Sequence, residues 1–165
     1  DNIPYNCGYG RSLIQELAPM LYTFKDTEFE IKNTDIINTW VEKSYLPFIY
    51  NGRTMDMVRG REISRYYEQS DFACSRILSA MLILTELSEF DILRSVIKTH
   101  LTDSFFEYAS LFAVELAEGL QEDDNIEPKE IKPYFMAFNS MDRAVKHGNG
   151  YKKLLANDQN DKSNN

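Results

Sequence analysis

The stretch from Phe72 to Leu87 is apolar at Phe72, Ile77, Leu78, Met81, Leu82, Leu84 and Leu87, which is more than one face of a helix. A surface helix shows a single apolar stripe backed by charge, so this one must lie buried between neighbours. The rest of the chain supplies them. Leu13, Ile14, Leu17, Met20 and Leu21 recur at helical spacing from Arg11 to Phe24, which predicts a buried helix kinked at Pro19. Asn33 or Thr34 can cap a second helix through Asp35, Ile36, Ile37, Trp40, Val41 and Tyr45, ending near Pro47, with Trp40 in the core. A fourth helix is expected over about Phe90 to Leu101 and a fifth over about Phe105 to Leu120. Five such helices with short polar links predict an antiparallel, all-α array over residues 1–120.

The character of the chain changes after Gly119. Gln121-Glu122-Asp123-Asp124-Asn125 is an acidic, solvated stretch, and Pro128 and Pro133 punctuate the residues after it. Residues 121–133 therefore read as a linker. Tyr134-Phe135-Met136-Ala137-Phe138 is short, aromatic and strand-like, so 134–150 reads as the start of a second, β domain. Residues 151–165 form a polar tail without apolar periodicity and read as disordered.

With 43% hydrophobic residues in 165, the body has enough apolar material to bury a core. The net charge of -8 argues against a general nucleic-acid surface or an anionic-membrane surface, both of which are built from excess Lys and Arg. Cys7 and Cys74 are far apart without metal-like spacing, and neither His100 nor His147 has a zinc-type partner nearby. Free thiols, no metal and no cofactor are expected. No apolar run approaches a membrane span, and the start has neither Met nor a signal-like region, as in a mature, processed or excised segment.

Against that acidic background, Asn51 to Arg65 carries four arginines, Arg53, Arg59, Arg61 and Arg65. Guanidinium forks bind carboxylate or sulfate bidentately and stay charged at physiological pH, so the run reads as an anion site. If the stretch is helical, Arg61 and Arg65 share a face and converge on one ligand. The bland alternative is a solvated turn whose arginines pair with Asp56 and Glu62. Gly60 allows close approach of another backbone or a substrate.

Three blocks in fixed order give the run a family. Asp1-Asn2-Ile3-Pro4-Tyr5-Asn6-Cys7-Gly8-Tyr9-Gly10, the arginine block Met55 to Arg65, and Ala137-Phe138-Asn139-Ser140-Met141-Asp142-Arg143 together resemble the polysaccharide lyases of family eight, which include hyaluronate, chondroitin and xanthan lyases. The resemblance implies a mainly α fold: the C-terminal part of an incomplete (α/α) toroid, followed by the first residues of a β-sandwich domain. It also implies Tyr9 as the catalytic tyrosine, Arg61 and Arg65 as the two active-site arginines, and an exported, extracellular enzyme acting on an acidic, glycosaminoglycan-like polysaccharide. Tyr5 belongs to the same block and is expected to pack, while Arg53 and Arg59 acquire no role beyond structure.

The reaction implied is β-elimination on a uronic-acid-containing polysaccharide, with hyaluronan or chondroitin expected as substrate. A base removes the C5 proton and the bond from C4 to the glycosidic oxygen breaks. That proton is acidic enough only when the uronate carboxylate and the developing enolate-like charge are neutralised. In the family an asparagine and a histidine contribute to this, and the tyrosine takes the proton and returns one to the leaving oxygen. A free tyrosine ionises near about 10, so the resemblance gives Arg61 and Arg65 the task of favouring its phenolate as well as holding substrate. The family's histidine and asparagine fall before residue 1, and a further glutamate and asparagine fall after the last. His100 and His147 stand at the wrong places to replace them, so the chain is expected to act with the rest of a lyase and to be inactive alone. Two rival readings are a non-catalytic module that binds acidic polysaccharide through the arginines, and an all-α interaction scaffold.

Overall fold

The computed structural model describes residues 4–148, and the predicted tail over 151–165 lies outside them. They form two compact units, the first running to Lys129 and the second starting at Glu130.

The centre of the first unit is the helix α3, Ser70–Leu84, here numbered after α1, Arg11–Phe24, and α2, Asp35–Trp40. Ile77, Leu78, Met81, Leu82 and Leu84 are all essentially solvent-free. Each such side chain contributes roughly 1.5–3 kcal/mol by leaving water. Burial extends to Ala73, Cys74, Ser75, Ser79 and Ala80, as the all-round apolar pattern requires. The surrounding elements are α1, α4 (Leu93–His100), α5 (Asp103–Tyr108) and α6 (Leu111–Glu122). The two buried serines are satisfied internally: Ser75 Oγ donates to Phe105 O at 2.9 Å and Ser79 Oγ to Ser75 O at 2.8 Å.

Several boundaries differ from the sequence expectation. The helix expected to run to Leu87 stops at Leu84. The single helix expected over 105–120 is two, because Ser110 adopts an extended conformation and its Oγ accepts from Ala113 N, capping α6 afresh. The helix expected through Tyr45 changes character at Val41, continuing as a π-helical turn over Val41–Tyr45 and a 3-10 turn over Leu46–Phe48. Thr34 stands at the cap of α2, but its carbonyl rather than its hydroxyl takes the first bonds, from Ile37 N and Asn38 N. Helix α1 continues through Pro19 and buries Arg11, Ile14, Ala18 and Leu21, whereas Leu13 is 50% exposed and Met20 is exposed too. Trp40 is half-buried rather than core.

A short hairpin precedes the arginines: β1, Ile49–Tyr50, pairs antiparallel with β2, Arg53–Thr54. Its turn is Asn51-Gly52, with φ of 49° and 72°. Two successive left-handed residues match the twist of paired strands, which is why Asn-Gly is the strongest short hairpin signal. Gly52 is needed twice over, because a Cβ there would also collide with the Thr102 side chain. Thr54 Oγ1 donates to Ser70 O, tying the hairpin to the start of α3.

The second unit is an antiparallel hairpin of β3, Tyr134–Phe138, and β4, Arg143–His147, with Tyr134 opposite His147 and Phe138 opposite Arg143. The strand expected at Tyr134 is therefore present. The Tyr134 and His147 rings stack at 4.7 Å.

Both cysteines are free and buried in the first unit. Burial pushes the Cys7 thiol up to about 12 and the Cys74 thiol well above its ordinary value. Burial, then the neighbouring Cys7, pushes the Tyr45 phenol up to about 12. A group whose folded-state value is raised binds more protons in the folded state than in the unfolded one. Its stabilising contribution is therefore full below the unfolded value and is lost as pH rises through the folded one. The urea midpoint is expected to fall as pH rises from 9.0, the ordinary thiol value, to about 12, and a flat midpoint across that window would contradict the burial of these groups. Near neutral pH a thiol reagent should label neither cysteine until the chain is unfolded.

Candidate active site

Tyr9 stands on a single π-helical turn, Asn6–Gly10, in which Gly8 N and Gly10 N both donate to Tyr5 O, at 3.1 and 3.2 Å. Turns of this kind are rare and recur at functional sites. Two bonds to the second π-turn fix it in place: Asn6 Nδ2 donates to Ser44 O at 2.9 Å and Tyr45 Oη to Gly10 O at 2.7 Å. Cys7 points fully inward, while Tyr9 faces solvent and is 66% exposed. Its ring stacks on that of Tyr5, with centroids 4.7 Å apart.

The four arginines have four different surroundings. Arg61 reaches across 52 residues of sequence and donates from Nη2 to Tyr9 Oη at 3.3 Å. Arg65 is held by carboxylates, at 2.5 Å from Glu68 Oε2 and 3.7 Å from Glu62 Oε1. The Glu68 hydrogen bond and charge raise its pKa above the ordinary arginine value. Arg59 is 2% exposed and donates to Asp56 Oδ1 at 2.7 Å, to Glu62 O and to Glu68 O. Arg53 is largely exposed and only 4.0 Å from Asp71.

The stretch is not an α-helix, so the expectation that Arg61 and Arg65 project from one helical face needs correction. Asp56–Val58 and Gly60–Ser64 are 3-10 turns, and Arg65 is already extended. In this arrangement Arg61 meets the tyrosine and Arg65 meets Glu62 and Glu68. The reading of the run as a solvated turn paired with Asp56 and Glu62 has the right partners for Arg59 and Arg65, but Arg59 and Glu62 are buried rather than solvated.

Two residues of this assembly, Arg11 and Glu68, were not singled out by the sequence. Arg11, at the start of α1, is buried with Nη2 3.4 Å from Glu62 Oε1 and 3.8 Å from Glu68 Oε1. Glu62 and Glu68 thus bridge α1 to the arginine segment, setting the turn that carries Tyr9 beside the loop that carries Arg61. A signal for the two carboxylates was present. Asp56, Arg59, Glu62, Arg65 and Glu68 alternate in charge every three residues, the spacing at which side chains eclipse in a 3-10 conformation.

An exposed phenol with a guanidinium on its oxygen can exchange a proton with a bound ligand while the cation favours an anion nearby. Among the described residues no group of three or more His, Cys, Asp or Glu could hold a metal ion. His100, in α4, is buried. No helix among the described residues is long and apolar enough to cross a membrane.

Comparison with known proteins finds relatives over most of the chain. The xanthan lyase of Bacillus sp. (strain GL1) is 29% identical over 161 residues, covering 92% of this chain and 17% of that protein. The hyaluronate lyase of Staphylococcus aureus is 26% identical over 156 residues, covering 88% of this chain and 19% of that protein. The chain therefore spans less than a fifth of the length of these relatives. The solved structure of Paenibacillus xanthan lyase superposes with a TM-score of 0.80 at 29% identity, over 86% of this chain and 14% of that one. The family model described as polysaccharide lyase family 8, N-terminal alpha-helical domain, matches residues 1–99. That match takes in the Tyr9 turn, the arginine segment and the central helix together, so the chain belongs to polysaccharide lyase family 8, as part of its helical toroid.

Proposed function

We propose that this chain supplies the proton-transferring tyrosine and its arginine partner to a lyase that cleaves uronic-acid-containing polysaccharide, hyaluronan or chondroitin, by β-elimination. The observation that carries the reading is the Arg61 guanidinium on the Tyr9 hydroxyl. As phenolate, Tyr9 takes the C5 proton of the uronate. The electron pair left at C5 forms the C4–C5 double bond and expels the glycosidic oxygen from C4. Tyr9, now a phenol, returns a proton to that oxygen, which leaves Tyr9 as phenolate again and yields an unsaturated uronate on one product and a free hydroxyl on the other.

Arg61 does two things in this scheme. It donates to the Tyr9 oxygen and so holds it in place, and it offers a second N–H to the substrate carboxylate, whose charge must be met before C5 becomes acidic. Arg65 holds the same carboxylate once it exchanges part of its contact with Glu68 and Glu62 for the substrate. Acidic polysaccharide is thus the proposed partner, an extracellular setting the proposed location, and a histidine and an asparagine on other parts of the lyase supply the remaining neutralisation.

The test is the ultraviolet absorbance of unsaturated uronate on mixing with hyaluronan, chondroitin or xanthan. The chain alone is expected to be silent, and a polypeptide that adds the family's histidine and asparagine before it and the glutamate and asparagine after it is expected to form product. Robust turnover by the chain alone would overturn the proposed division of labour. Binding of polysaccharide without product by the longer polypeptide would point instead to a carbohydrate-binding module.

A further inference from the structure

Tyr9 has little of its own to hold it. Its side chain is mostly in solvent and a phenol has two rotatable bonds, yet proton transfer requires its oxygen within hydrogen-bond reach of a defined atom. What the ring does touch is Tyr5, by stacking at 4.7 Å with 26° between the planes.

Tyr5 in turn is gripped at both edges. A Cβ on Gly8 would fall within the van der Waals envelope of Tyr5 Cδ1 and Cε1, and a Cβ on Gly60 within that of Cδ2 and Cε2. The ring therefore spans the gap between the turn that carries Tyr9 and the segment that carries Arg61, contacting a bare Cα at each side and leaving a face to the Tyr9 ring. Gly60 is constrained further by its φ of +56°. Gly8 precedes Tyr9 and Gly60 precedes Arg61, so one ring fixes the spacing of both partners. From this geometry we propose that Tyr5 is a positioning residue: a wedge between Gly8 and Gly60 whose face sets the Tyr9 ring against Arg61. The inference rests on the catalytic reading of Tyr9 for its consequence, though not for its geometry.

Nuclear magnetic resonance of the chain tests the wedge without any need for activity. In Tyr5→Leu the Tyr9 ring protons are expected to lose the upfield shift caused by the stacked ring. The Overhauser contact between Tyr9 and the Arg61 side chain is expected to disappear, while the Ile77 and Leu78 methyl signals of α3 stay in place. Tyr5→Phe, which keeps the ring, should retain both signatures. Gly8→Ala leaves Tyr5 and Tyr9 intact but denies the ring its seat; it should reproduce the loss and carries the test if Tyr5→Leu does not fold. An unchanged Tyr9–Arg61 contact in a folded Tyr5→Leu or Gly8→Ala chain overturns the proposal, as does its loss in Tyr5→Phe. In the complete lyase, Tyr5→Leu should lower kcat at nearly constant KM, with Tyr5→Phe restoring it. Failure of the wedge shows in the resonance experiment, whereas failure of the lyase reading shows as absence of product from the unaltered complete enzyme, so the two are separable.

Discussion

Tyr9→Phe in the complete lyase is expected to lower kcat by about 10²–10⁴-fold, the range typical of a lost general acid–base group, while KM changes little. The substitution removes one oxygen and keeps the ring, so the stack on Tyr5 survives and the turn held by Asn6 and Tyr45 is untouched. Arg61 loses a hydrogen-bond acceptor at 3.3 Å and remains free to hold a carboxylate. An interaction used only when the proton moves shows up equally in kcat and in kcat/KM, whereas uniform binding shows up in KM. Steady-state rates from product absorbance, together with polysaccharide binding by the inactive variant, separate the two. A comparable loss of binding would make Tyr9 structural, and near-normal turnover would remove it from the chemistry altogether.

The central helix was legible because burial on all sides leaves a direct mark in composition: no arrangement of Phe72 to Leu84 puts its apolar residues on one stripe. Boundaries were less legible because they depend on single backbone choices. Ser110 ends α5 and caps α6 by turning extended and offering one hydroxyl, while the apolar residues on both sides continue a helical pattern. The Asn51-Gly52 hairpin had its signal in plain sight, but its strands are two residues each, too short for periodicity to register.

The exposed Leu13 shows a different limit. Periodicity identifies an apolar face of α1, but only the packing partners decide that Ile14, Ala18 and Leu21 are the buried set. In the candidate site, local sequence can place Arg61 in an arginine run and Tyr9 in a glycine-flanked turn. Nothing local joins them across 52 residues. What brings them together is the Tyr5 ring between two glycines and the carboxylates that bind Arg11 to the arginine segment, and both depend on tertiary contact.

Those carboxylates carry the second large effect. Glu62→Ala is expected to cost about 3–5 kcal/mol, the usual result of deleting one partner of a buried ion pair. That is a large share of a domain's total stability of about 5–15 kcal/mol. Glu62 is 5% exposed and lies between Arg11 and Arg65. Without it the buried Arg11 guanidinium keeps Glu68, at 3.8 Å, as its one carboxylate partner among the described residues, together with the face of the Phe72 ring at 5.4 Å, and little water can reach it. By contrast, losing the exposed Arg53–Asp71 contact at 4.0 Å should cost no more than about 1 kcal/mol. The urea midpoint of each variant measures the difference. The penalty comes from stranding a charge and not from the pair being strongly favourable, so removing both charges with Arg11→Leu and Glu62→Leu should recover most of the stability that Glu62→Ala loses. The double variant would still lack the bridge from α1 to the arginine segment, so its recovered stability should come without a recovered Tyr9–Arg61 contact. Glu62→Ala at wild-type stability, or a double variant no better than the single one, would show that the network is solvated and does not set the distance between the two sides of the site.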